Sequence, residues 1–133
     1  MNCGWGGCGL VFRMTQGSRG KWKEQVIRHF KGGRDGVSPQ GPVVFDVAGN
    51  LHGTTAIGGG GPCQWYGTGC GTVFELTPNQ NGKWTEQVLH RFRGGAGGSH
   101  PVDALVFDAT GNMYGAANGR ADGDNGLIYE VIP

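Results

Sequence analysis

Four cysteines are the first residues of this 133-residue chain whose type and spacing could do chemistry. They form two close pairs, Cys3/Cys8 and Cys63/Cys70, each with a tryptophan two residues after its first member, Trp5 and Trp65. Such thiols can cross-link in pairs, stay free, or gather around zinc. Structural zinc usually takes spacers of roughly two to four residues within each pair. Here the spacers are four and six, and the pairs lie far apart in the chain. Disulfides Cys3–Cys8 and Cys63–Cys70 are the expected state, each pinning one Gly-rich loop, with free thiols and a four-thiolate zinc site as the competing ones. Disulfides in turn imply an oxidising compartment.

Trp5, Trp65 and Tyr66 fall inside the Cys-bracketed loops, where they cannot all join a sheet core. Rigidly held, exposed aromatics can stack on sugar rings or anchor a protein partner, so these three are the candidate ligand-binding residues. The competing expectation has each tryptophan folded back over its own disulfide.

Catalysis would need a Ser or Cys nucleophile with a His base and an orienting carboxylate. His29, His52, His90 and His100 are available, but none recurs at an equivalent position of the repeat described below. That pattern fits surface polar positions. Glu24 and Glu86 do recur, as do Asp46 and Asp108. A residue present in every copy is expected to support the copy, since one active site needs it once; paired carboxylates for glycoside hydrolysis are the alternative. Asp122, Asp124 and Asn125 hint at a calcium loop, yet Gly126 occupies the third ligand slot and Glu130 comes too early to close it. A turn is expected there, and Arg34, Asp35 and Gly36 form another loop. No catalytic residue, metal site or cofactor is therefore expected.

Lys and Arg number 11 against 10 Asp and Glu, with no basic run, which argues against nucleic-acid binding. No apolar stretch approaches the length of a membrane span, so no membrane insertion is expected. The first residues, MNCGWGGCG, form neither a signal peptide nor a transit peptide. Gly (29) and Pro (6) are abundant enough to suggest low complexity. Against disorder, the four Trp and six Phe sit in spaced β-type runs, and the glycines recur at matched positions.

The elements that position these residues come in copies. Sliding the chain by 62 positions places Cys8 on Cys70 and Gly53 on Gly115, and 22 of the 46 aligned pairs are identical. A third, partial copy follows: GLIYEVIP repeats GTVFELTP at a spacing of 55, so the unit is about 55 residues with a seven-residue insertion around GGPCQWYGTGC. Leu10, Phe12 and Met14 fall at alternate positions, as do Thr72, Phe74 and Leu76 and again Leu127, Tyr129 and Val131, the period-two signature of a strand. Trp22, Val26 and Phe30 share one face of a half-exposed strand, as do Trp84, Val88 and Phe92; Trp22 and Trp84 are expected in the core or between units. Val43–Phe45 and Leu105–Phe107 read as short strands buried on both faces, and Leu51–Thr55 and Met113–Ala117 as their successors across Asp-x-x-Gly-Asn hairpin turns.

The expected fold is all-β: tandem four-stranded antiparallel repeats, read as β-propeller blades. Strands should fall as two, four and three, a partial repeat over 1–32, a full one over 33–94 and a partial one over 95–133 of a single array. That makes about two and a quarter blades, fewer than the four to eight or so of a closed propeller. The chain is thus expected to be a fragment of a longer protein or to assemble with copies of itself. An open β-solenoid or stacked-sheet array is the alternative.

GCGTVFELTP, GKWTEQVLHRFRGG and ALVFDATGNMYG together resemble the GloVer-type tandem-repeat family of bacterial proteins, over nearly the whole chain and twice. The hairpin segment by itself is also similar to strands of NHL-type propellers. The resemblance implies a secreted or cell-surface location and propeller-like repeats, and no mechanism. This chain shows neither the signal sequence nor the sorting tail usual in that family, and has far fewer copies. The functional expectation is a non-enzymatic extracellular repeat module with a structural or interaction role, its partner a protein or a surface polysaccharide. The alternatives are a carbohydrate-binding propeller using the Cys-loop aromatics, and part of a polysaccharide hydrolase or lyase.

Overall fold

A computed structural model of the chain describes Cys3 and residues 7–63, 69–119 and 125–132. Among the described residues it is all-β, with nine strands in three open antiparallel sheets. The first sheet pairs β1 (Leu10–Gln16) with β2 (Trp22–His29). The second runs β3 (Val44–Phe45), β4 (Leu51–Thr55), β5 (Thr72–Pro78), β6 (Trp84–Arg91), in that order across the sheet. The third runs β7 (Val106–Phe107), β8 (Met113–Ala117), β9 (Leu127–Val131). The division into two, four and three strands is the one the repeat demands.

Equivalent hairpins keep equivalent registers. Phe12 pairs with Val26 and Phe74 with Val88, each just after a bulge at the same repeat position, between Val11 and Phe12 and between Val73 and Phe74. The β3–β4 and β7–β8 turns are closed by one device used twice. The Asp46 carboxylate accepts the backbone N–H groups of Ala48 and Asn50 and the Asn50 side-chain amide, and Asp108 does the same with Thr110 and Asn112. Gly49 and Gly111 take φ of 90° and 92°, which a side chain would oppose.

The sheets stack face to face, and both interfaces use the same repeat positions. Val11 and Phe30 of the first sheet's hairpin pack with Leu51, Phe74 and Leu76 of the second, flanked by Cys8, Ile27 and Trp84. One repeat further on, Cys70, Val73 and Phe92 pack with Leu105, Met113 and Ala117, flanked by Leu89, Leu127, Tyr129 and Val131. An edge-to-face aromatic pair spans each interface: Phe30 on Phe74, with centroids 5.2 Å apart, and Phe92 on Tyr129, at 4.9 Å. Glycine opposite each second-sheet or third-sheet aromatic makes room for the ring. Gly53 pairs with Phe74, and a Cβ there would come within 2.7 Å of Cζ; Gly115 pairs with Tyr129 in the same way. Strand β5 is thus covered on both faces, Phe74 and Leu76 toward the first sheet and Val73 toward the third.

Two expectations need correction. Val43–Phe45 and Leu105–Phe107 are not buried on both faces: Phe45 and Val106 are exposed, and only Leu105 is enclosed. These two-residue strands lie at sheet edges, so one side of each meets solvent. Trp22 is 61% exposed rather than part of the core, whereas Trp84 packs against the first interface. The difference is one of neighbours, since a sheet stacks over Trp84 and none over Trp22.

Candidate functional site

Both cysteine pairs are disulfides, Cys3–Cys8 and Cys63–Cys70, with Cα–Cα distances of 5.1 Å each. They precede β1 and β5, at equivalent places in successive copies. Cys70 is fully buried in the second interface, with Gly94 lying against the sulfurs of the bridge. The carbonyls of Cys8 and Cys70 accept the N–H groups of Ser38 and His100 at 2.9 and 2.8 Å. Ser38 and His100, aligned in the repeat, both hold the left-handed conformation, with φ of 60° and 50°. The same local strain in both copies ties each disulfide to the following loop. Trp5, Trp65 and Tyr66, the candidate binding aromatics, lie outside the described residues, as do Asp122 and Asp124 of the Asp-rich turn.

A cleft with polar chemistry lies between the second and third sheets, at the end carrying both Asp-x-x-Gly-Asn turns. It measures ≈590 Å³ and is lined by Phe45, Asp46, His52, Glu75, Phe107 and Asp108, among others. His52 is 3% exposed, so it is not the surface residue its non-recurrence suggests. Its Nε2 lies 3.1 Å from Asp46 Oδ2 and 3.5 Å from Glu75 Oε2. Two acceptors face that nitrogen, so it carries the proton and donates it. Nδ1 is enclosed without a partner. The ring stands edge-to-face on Phe107 of the third sheet at 5.1 Å.

Donor atoms of Asp46, His52 and Glu75 all lie within 4.8 Å of one another, a set that could hold a divalent cation. The next copy shows what the arrangement does. There Tyr114 takes the place of His52, and its hydroxyl lies 3.1 Å from Asp108 Oδ2 and 2.8 Å from Glu130 Oε1. Glu130 is the counterpart of Glu75. The Tyr114 phenol is pushed up to about 12, first by its hydrogen bond to Glu130 and then by burial and by Asp108, so it stays neutral. A donor bridging the turn aspartate to the glutamate of the adjacent strand is common to both copies. A His or a Tyr serves equally, and this bracing accounts for the trio. The aspartates are correspondingly acidic: burial raises Asp46, but hydrogen bonds from His52, Asn50 and Ala48 bring it down to about 2. Asp108 is lowered further, chiefly by the Thr110 hydroxyl.

A second cluster crosses the first interface. Arg28 on β2 bridges Asp35, in the loop that follows it, and Glu86 on β6. Glu86 is pushed up to about 8, first by burial and then by the hydrogen bond and negative charge of Asp35, against the pull of Arg28 and Arg91. Asp35 is lowered, its own burial outweighed by hydrogen bonds from Glu86 and the Lys31 N–H and by the Arg28 charge. A raised carboxyl beside a second carboxylate resembles a general acid with its partner. The Glu86 side chain is only 5% exposed, however, and its Oε1 is enclosed without a partner. Glu86 lines a shallow cavity of ≈370 Å³ together with Arg28, Arg34, Asp35, Val88 and Arg91, and its contacts there are to Arg28 and Asp35 of the same cluster. In the cleft between the second and third sheets, Asp46, Glu75 and Asp108 are engaged in the turn and bridge contacts described above. Among that cleft's described lining residues only Thr110 carries a hydroxyl, and that hydroxyl donates to Asp108 at 2.7 Å.

His29 and His90 are exposed and His100 is half-buried. Glu24 is exposed while its counterpart Glu86 is enclosed, so recurrence in sequence does not carry recurrence of environment across the first sheet. Sequence reasoning missed the His52 bridge, whose signal lay in the Tyr that replaces it one copy later. It also missed the Arg28–Asp35–Glu86 cluster, for which the sequence held none.

Among the described residues no helix is long and apolar enough to cross a membrane. Neither family models, curated proteins nor solved structures match the chain.

Proposed function

We propose that this chain is a non-enzymatic, extracellular repeat module whose sheets are propeller-type blades and whose role is structural or adhesive. The GloVer-type resemblance read from the sequence and a bacterial, secreted or surface origin belong to the same proposal. The observation that carries it is the repetition of the sheet–sheet interface. The recurring apolar residues, Val11/Val73, Phe30/Phe92 and Phe74/Tyr129, are all spent on stacking, and the recurring aspartates on closing turns. What recurs supports the array, which leaves the loops at its rim as the surfaces offered to a protein or polysaccharide. Two disulfides fit an oxidising location.

The test is direct. Purified, oxidised protein is expected to show no free thiol in denaturant without reductant, and no turnover on panels of polysaccharides and esters. Turnover that disappears in Glu86→Gln or His52→Tyr, with the fold intact, would replace this reading with a catalytic one.

A further inference from the structure

The two ends of the stack expose opposite halves of the interface that the interior repeats. On the first sheet the bare face carries Leu10, Phe12, Met14 and Trp22. Phe12 and Met14 are 54% and 44% exposed, while their counterparts Phe74 and Leu76 are fully buried under the hairpin of Val11 and Phe30. On the third sheet the bare face carries Val106 and Ile128. Ile128 is 76% exposed, while its counterpart Val73 is fully buried against that third sheet; the counterpart of Val106 is Val44, which packs against the same cluster. One end therefore offers the side that receives a neighbour, and the other end the side that a neighbour receives.

Resting on the stacked-unit reading above, we propose that the Leu10/Phe12/Met14/Trp22 face docks the Val106/Ile128 face of a second copy of this chain, head to tail. The occupant follows from the molecule itself, because the same type of face covers Phe74 and Leu76 within one chain. Such a contact joins two different patches. It leaves one free half-interface at each end of the pair and propagates to a ring or an open filament, according to the rotation per unit. A contact between identical patches would stop at two.

Mixing two variants reads this difference. Phe12→Glu spoils only the receiving face and Ile128→Glu only the donated one. Both residues are largely in solvent in the single chain, so neither change removes a core residue. Sedimentation velocity from micromolar to millimolar protein should show the wild-type chain growing beyond dimer. Each variant alone should associate about thirtyfold more weakly or worse. An equimolar mixture should recover association but stop at a one-to-one dimer, because one good interface survives and both remaining ends are spoiled. Met14→Lys and Val106→Lys provide an independent pair, and near-ultraviolet circular dichroism confirms that each variant is folded. A folded wild-type chain that stays monomeric overturns the proposal and leaves the bare face to an adjoining unit of a longer chain. A mixture no more associated than its components overturns it too, as do single variants that assemble like wild type. The stacked-unit reading fails separately, if Phe74→Ala proves no more destabilising than Phe12→Ala.

Discussion

Phe12 and Phe74 are the same residue, at the same repeat position, in hairpins of the same register. Their β propensity and cross-strand partner, Val26 or Val88, cancel when they are compared. What differs is the covering sheet: Phe74 is fully buried with its ring on Phe30, and Phe12 is 54% exposed. Truncating a buried phenylalanine to alanine costs about 3–5 kcal/mol, the lost transfer energy plus the cavity left behind. Phe12 has already left half its surface in water and leaves no enclosed cavity, so Phe12→Ala should cost about 1 kcal/mol. A domain of this size has a total stability of roughly 5–15 kcal/mol, so the first change removes a large fraction of it and the second does not. With a urea slope of about 1.5 kcal/mol/M, the midpoint should fall by about 2–3 M for Phe74→Ala and by less than about 1 M for Phe12→Ala. The measurement is equilibrium urea unfolding followed by tryptophan fluorescence, at a protein concentration low enough to keep end-to-end docking out of the comparison. Equal midpoint shifts at unchanged slopes would mean that no sheet covers Phe74 in solution, and the argument from stacking would be refuted.

Three further outcomes are expected. Glu86 has an ordinary value of 4.5 that folding raises to about 8, so its contribution to stability is complete below the unfolded value and is lost as pH rises through the folded one. Wild-type stability should therefore decline from pH 5 to pH 9, and Glu86→Gln should flatten that decline; a slope unchanged in the variant would show that Glu86 is ionised when folded. His52→Phe keeps the ring on Phe107 but removes the donor to Asp46 and Glu75, and should cost about 1–3 kcal/mol in urea unfolding. His52→Tyr, which copies the neighbouring repeat, should cost much less, and zinc should leave the wild-type melting temperature unchanged; a zinc-dependent rise abolished by His52→Tyr would make the trio a metal site. Reduction of the disulfides should lower stability by about 1–3 kcal/mol per bridge, because closing so short a loop removes little entropy from the unfolded chain. The comparison of Cys3→Ser/Cys8→Ser with Cys63→Ser/Cys70→Ser by thermal melting should show the larger loss for the second pair, since Cys70 lies in the core; a larger loss for the first would contradict that placement.

The strand pattern was legible because each signal was local. Alternation at Leu10, Phe12 and Met14 sets a period of two, and Asp46 followed by Gly49 and Asn50 closes a turn with its own side chain. The disulfide pairing was legible from the symmetry of the two copies. Burial was not legible in the same way, because it depends on what lies across an interface. Trp22 and Trp84 read alike in sequence and differ in exposure only through the sheet above them. His52 looked like a surface residue because it failed to recur, yet its role recurs in Tyr114, with a different donor on the same two carboxylates. The Arg28–Glu86 bridge depends on how far one sheet is displaced over the next, and residues 58 apart in sequence give no sign of that displacement.

The same offset explains why a stack of similar units needs residues that do not recur. Apolar interfaces built from Val11 and Phe30 or from Val73 and Phe92 are nearly interchangeable, and would let one unit settle in another's place. Arg28 and Asp35 are matched one copy later by His90 and Gly97, so the three-membered charge cluster forms at the first interface alone. A unit stacked on the second sheet without an Arg28 would leave the enclosed Glu86 carboxyl and Asp35 without that donor, and a buried polar group left unpaired costs about 1–3 kcal/mol. The recurring residues thus supply attraction and the unique ones supply order, by penalising the wrong neighbour. Glu24, the counterpart of Glu86 on the first sheet, stands exposed, and the third sheet has three strands with no counterpart of β2 among the described residues, so a second copy docking there lays no strand over Glu24 and leaves it in water.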